Sequence, residues 1–295
     1  MEDGRLAGVD EHGIEALLRH LVRYCRHQAS MSQPSPTGIP WWLRAYLLVG
    51  AAQGLTIALT GFFRPAHVIG FPLLVTPLNT RFVASFYLAG ATGLIASACA
   101  RRAVDTRIYV FGFTIVTTLL LVATLWYWST YTAVKIPYPW LTSYVLEPIA
   151  GVAILRTLHL GRPALAGRHR LSRVFETQAA VFGVLGIVLA AAPGVAVRLW
   201  PWALTPVLAR TYAAIFIAFA IGALLAAGEG RRAAVRPFAL SSLVLVAATA
   251  CVSLFHHNRF DGGPATWLWA VGLAVGLAGF AVAGAASFRE GAGTT

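Results

Sequence analysis

Residues 108–129 read IYVFGFTIVTTLLLVATLWYWS, a run without a single acidic, basic or proline residue. About 20 consecutive apolar residues wound as a helix match the hydrocarbon thickness of a bilayer. The run also lacks the alternation of a membrane β-strand. Lipid offers the main chain no hydrogen bonds, so a segment of this kind pairs its own amides and carbonyls, which a helix does unaided.

Seven more stretches have the same character: 42–63, 82–100, 140–158, 175–197, 208–228, 237–257 and 265–287. Overall composition agrees. The 295 residues are 58% hydrophobic and only 12% charged, against about 25% charged in a soluble globular chain. Mean hydropathy is +0.69. The expected fold is therefore all-α, a polytopic membrane bundle of eight transmembrane helices.

Basic residues are distributed as membrane topology requires. The amino-terminal stretch, the even-numbered connections and the tail hold 17 of the 23 Lys and Arg residues, and the remaining connections hold six. Positive charge is retained on the cytoplasmic side, which places both termini in the cytoplasm and the protein in the inner cell membrane. Because the arginines separate apolar segments rather than line one helical face, the net charge of +12 does not indicate nucleic-acid binding. Cys25, Cys99 and Cys251 have no CxxC spacing, so neither a disulfide framework nor a zinc site is suggested.

A second pattern divides the chain in two. FPLLVTPLNTRFVASFYLAGATG from Phe71 aligns with WPWALTPVLARTYAAIFIAFAIG from Trp200 at an offset of 129, matching Pro72, Thr76, Pro77, Arg81 and Gly93 to Pro201, Thr205, Pro206, Arg210 and Gly222. The expected architecture is a tandem parallel repeat of two four-helix units, since an even number of spans inserts both copies with one orientation. Its boundaries are a cytoplasmic amino-terminal segment 1–40, a first repeat 41–160, a basic linker 161–174, a second repeat 175–288 and a tail 289–295. Within 1–40, the apolar positions from Ile14 to Cys25 have helical spacing and suit a surface-lying amphipathic helix. Met31 offers a second start. No cleavable signal peptide is expected, because 1–40 is polar and holds Pro34, Pro36 and Pro40.

The repeated T-P-x-x-x-R motif fits a helix entrance. Thr caps, and Pro suits the first turn. Arg81 and Arg210 then serve either as interfacial anchors or as a pair that recognises an anion.

Ionisable side chains inside lipid cost about 2.5–3.5 kcal/mol on insertion scales and are functional candidates. Glu147, followed by Pro148, and Gln53 form the candidate intramembrane polar site. His256, His257, Arg259 and Asp261, with Arg81 and Arg210, form a candidate outer-face site. Adjacent histidines on a helix diverge by about 100°, so no metal is assigned there. No P-loop, HExxH, GxSxG or dinucleotide fingerprint is present, and no cofactor is expected.

Three functions are compatible with these features: a small transporter or permeation protein with its site between the repeats, a non-catalytic subunit or assembly factor of a membrane complex, and a membrane enzyme acting on a lipid-like substrate at the outer face. The expected partners are the lipid bilayer, an anionic or lipid-like ligand, and a companion membrane protein or a second copy.

Overall fold

The computed structural model describes residues 38–65, 76–133, 138–158, 169 and 171–292. The proposed amphipathic helix within 1–40 and nearly all of the basic linker lie outside them. The described residues are helical, and no strand occurs among them. In chain order the helices are α1 (Trp41–Phe63), α2 (Pro77–Ala98), α3 (Arg107–Trp126), the short α4 (Trp128–Ala133), α5 (Tyr138–Thr157), α6 (Ser172–Ala191), the short α7 (Pro193–Leu199), α8 (Pro206–Ala227), α9 (Arg232–Phe255) and α10 (Pro264–Ala292).

Seven of these, all but α4, α5 and α7, are long and apolar enough to cross a membrane, α3 with the 3-10 turn Ala103–Thr106 before it. The chain is thus a multi-pass helical membrane protein with seven such helices among the described residues, not the eight expected. The stretch 140–158 does fold as the helix α5, but Ser143, Tyr144, Glu147 and Arg156 dilute its hydropathy. Pro148 stands inside α5 without ending it. The stretch expected as one span over 175–197 breaks at Ala192, and Pro193 begins the separate α7. Proline lacks the amide that would continue the ladder.

Both T-P-x-x-x-R motifs start helices. The Thr76 hydroxyl accepts from the Asn79 amide at 3.2 Å, the Thr205 hydroxyl accepts from the Leu208 amide at 3.3 Å, and Pro77 and Pro206 stand at the first helical position. A threonine cap contributes about 1 kcal/mol.

Packing interlocks the two ends of the chain. α2 lies between α1 and α9, and α8 lies between α6 and α3; α5 packs on α3, and α10 on α9. α2 and α8 are the most enclosed helices, and α10 the least. Between α2 and α8 the core is aromatic: Phe82 meets Tyr212 at 4.9 Å and Phe86 meets Phe216 at 5.4 Å, both edge to face, a preferred geometry for ring pairs. Asn79 is buried in this layer, yet fully engaged. Its amide donates to the Ala203 carbonyl, and its carbonyl accepts from the Trp202 indole at 2.7 Å and the Tyr212 hydroxyl at 3.0 Å. Cys251 is free and exposed, and Cys99 is disulfide-bonded, a pairing the cysteine spacing did not suggest.

Candidate functional site

A cavity of about 360 Å³ lies among α1, α2, α3 and α5, closed on its far side by side chains of α8 and α9. Gln53 and Glu147, the two polar residues singled out in the sequence, both line it. The α5 face that reaches it carries Trp140, Ser143, Tyr144 and Glu147. That is the i, i+3, i+4, i+7 spacing of one helical stripe, a signal in the sequence that reading Glu147 alone missed.

Glycines make room for the site. Gly90 lines the cavity, and a Cβ there would meet nothing within 4 Å. Below it, a Cβ at Gly151 would strike the Thr114 hydroxyl and approach Tyr46. α1, α3 and α5 therefore close together at that level, where the Tyr46 hydroxyl donates to the Glu147 carbonyl at 3.3 Å. Above it, Trp140 packs with its ring tilted 53° to that of Tyr144, 4.5 Å away, and the Tyr144 hydroxyl shares a 2.9 Å hydrogen bond with that of Tyr87.

The sides of the cavity are less complete. α1 packs on α2 and α5 on α3, with no extended helix contact between α1 and α5. Gln53 and Thr56 are exposed in this groove. The Gln53 amide donates across it to the Ser143 hydroxyl at 3.0 Å.

Among the described residues, Glu147 is the only charged one lining the cavity. Its backbone carbonyl is engaged by Tyr46, but among the described residues its carboxyl has no hydrogen bond or ion pair. An acid in a largely apolar enclosure without a protein partner takes one from whatever occupies the space, or binds a proton.

The outer candidates are distributed differently. Arg81 donates to the Phe62 carbonyl at 3.2 Å, meets His256 Nε2 at 2.9 Å and lies 4.7 Å above the Phe255 ring. Arg210 donates to the Ala190 carbonyl at 3.3 Å and to the Tyr127 hydroxyl, and lies over the Trp126 and Tyr127 rings at 5.3 Å. Each arginine thus ties the start of its own helix to the end of a helix from the other part of the chain. The two share no partner.

Burial first, then the charges of Arg81 and Arg259, holds the His256 pKa below its usual value. The imidazole stays neutral and can accept from Arg81. Among the described residues, His257 reaches only the Leu254 carbonyl. Asp261 accepts from the Thr266 hydroxyl at 2.5 Å and the Gly263 amide at 3.0 Å, which hold its carboxyl below the ordinary range. It organises the turn into α10, where Gly262 takes φ +73°, a conformation that suits glycine. Glu147 joins none of these contacts, and no set of three or more metal-ligating side chains occurs among the described residues.

A further cluster, unforeseen in the sequence, stands at the basic face. Glu229 is 1% exposed and Asp105 2%. Arg231 grips Glu229 through two 2.8 Å hydrogen bonds, and its backbone amide donates to the same carboxylate at 3.1 Å. Arg107 approaches Glu229 at 4.0 Å, Arg231 reaches Asp105 at 4.0 Å, and Arg102 meets Asp105 at 3.2 Å. Burial alone would raise the Glu229 pKa; the hydrogen bonds and charge of Arg231, with Arg107, bring it below the usual carboxylate range.

Comparison with protein-family models, curated proteins and solved structures finds no match to this chain.

Proposed function

We propose that the chain is a small transporter or permeation protein of the cell membrane, built from two tandem four-helix units, whose binding site is the cavity lined by Glu147. The observation that carries this reading is the Glu147 carboxyl: costly within the bundle, half-buried at the wall of the cavity and without a protein partner among the described residues. A structural acid is paired, as Glu229 is. One left unpaired in a cavity is poised to hold a passing cation, proton or donor group.

The tandem arrangement is supported by more than the aligned motif. The offset of 129 that relates Arg81 to Arg210 also relates Trp126 to Phe255 and Tyr127 to His256, so the two arginine clamps correspond partner for partner. It relates Gly93, against which Tyr109 packs, to Gly222, against which Phe238 packs. Phe219 and Phe238 of the second unit close a cavity formed by helices of the first, in keeping with sites at the interface of repeats. On the distribution of arginines, both termini are cytoplasmic.

The enzymatic alternative is not favoured, because His257, Asp261 and Glu147 share no contact. Proteoliposomes with a trapped pH-sensitive dye test the transport reading. An imposed proton gradient should collapse faster than in protein-free vesicles, and Glu147→Gln should return the rate to the protein-free value without loss of folding. Equal rates with and without the wild-type protein would refute it.

A further inference from the structure

We infer that the ligand of this cavity is an amphiphilic amine that enters sideways from the bilayer, through the groove between α1 and α5. The inference rests on the cavity being a binding site and adds the ligand's chemistry and its route.

The ammonium end follows from what surrounds Glu147. Among the described residues no arginine, lysine or histidine lines the cavity, so none of them competes for the carboxylate or repels a cation. Aromatic rings of Tyr87, Phe113, Trp140, Tyr144 and Phe219 border the same space, and such faces attract cations as well as hydrocarbon. An anionic ligand would meet the Glu147 charge with no compensating group. The hydrocarbon portion follows from the remaining lining, which is aliphatic, aromatic and glycine, with isolated hydroxyls.

The route follows from where the cavity is closed. Trp140, Tyr144 and Tyr87 cover one end, and Tyr46, Thr114 and Gly151 bring the helices together at the other. Between α1 and α5 there is no extended packing; among the described residues the hydrogen bonds from Gln53 to Ser143 and from Tyr46 to the Glu147 carbonyl join the two helices, and Gln53 and Thr56 are exposed beside the first. In a membrane, the solvent facing such a groove is lipid. A lipid-dissolved amine can therefore part the Gln53–Ser143 hydrogen bond and place its head against Glu147 while its chain stays in an apolar environment throughout.

The test uses the full chain in nanodiscs and radiolabelled dodecylamine, corrected for empty nanodiscs. Saturable binding is expected, weakened about tenfold to a hundredfold by Glu147→Gln, as loss of a charged hydrogen bond implies, and retained by Glu147→Asp. Dodecanol and dodecanoate should not compete. Absence of saturable binding, undiminished binding by Glu147→Gln or equal competition by dodecanol would overturn the amine assignment.

For the route, Gln53→Cys and Ser143→Cys in a Cys251→Ala background are bridged by a short reducible thiol linker. Association should slow several-fold and recover on reduction, relative to Cys251→Ala treated identically; an unchanged rate would overturn lateral entry. Amine binding without proton flux in proteoliposomes would defeat the transport reading and leave this one standing. Flux without amine binding would do the reverse.

Discussion

Glu147 and Glu229 are the same side chain in opposite surroundings. Glu229, at the basic face, is held by Arg231 through paired hydrogen bonds and faces Arg107 as well. Glu147 stands in an apolar cavity with its carboxyl unaccompanied among the described residues. Burial costs both of them, but only Glu229 has that cost offset within the protein. A buried acid complete with its counter-ions belongs to the scaffold, and one that lacks them belongs to a ligand.

The sharpest way to break this contrast is Glu229→Ala. It strands Arg231 and Arg107 without their acid, and losing one partner of a buried pair costs about 3–5 kcal/mol. Denaturant titration in mixed micelles should show a loss of that order, and a change under about 1 kcal/mol would mean that the cluster is ornamental.

The same pair has a pH signature. Because the folded-state pKa of Glu229 is depressed, its contribution is complete above the unfolded value of about 4.3 and disappears as pH falls through the lower folded value. The wild-type melting temperature should therefore fall below about pH 4 more steeply than that of Glu229→Gln. Parallel profiles would contradict the assignment.

Two glycines on α2, less than a turn apart, sharpen the distinction between filled and hollow space. A methyl at Gly93 strikes the Tyr109 ring, and overpacking of this kind costs about 1–3 kcal/mol. Gly90→Ala meets nothing and should stabilise by about 0.5–1 kcal/mol, since glycine is the weaker helix former. Paired unfolding titrations give the signs, and a loss at Gly90 would mean that the cavity is tighter than described.

The smallest expected effect is on stability in Glu147→Gln, within about 0.5 kcal/mol of wild type, because no protein contact is removed. A large loss of stability there would identify an undetected structural partner and merge the two acids into one class.

A second contrast lies between the cavity and the matching region of the other part of the chain. Phe182 meets Phe216 at 5.1 Å and Phe219 at 6.3 Å, both edge to face. At an offset of 129, the first part of the chain has Gln53, Tyr87 and Gly90 in their place. Rings fill one region. An amide, a phenol and a glycine leave the other open. Each of these residues was visible in the sequence, yet no linear pattern says which aromatic side chains meet.

Other features were legible to different depths. The Thr-Pro helix starts at Thr76 and Thr205 could be read directly, because capping is local. Gln53 and Glu147 stood out because polar groups within apolar runs are conspicuous. Glu229 did not, since GEGRR resembles an ordinary solvated connection and its burial depends on Asp105 and Arg107 arriving from far along the chain. Arg81 and Arg210 were recognised as a pair, but their separate partners, His256 and Tyr127, come from the ends of helices 175 and 83 residues away.

By itself the sequence determined the solvent and the secondary structure. Runs the length of a bilayer leave the main chain no alternative to the helix, and polar residues within them are conspicuous one at a time. Tertiary structure alone decided which of those polar residues would be answered by another side chain and which would face empty space. That outcome depends on helices brought together across the chain, and on whether a ring or a glycine stands at each point of contact.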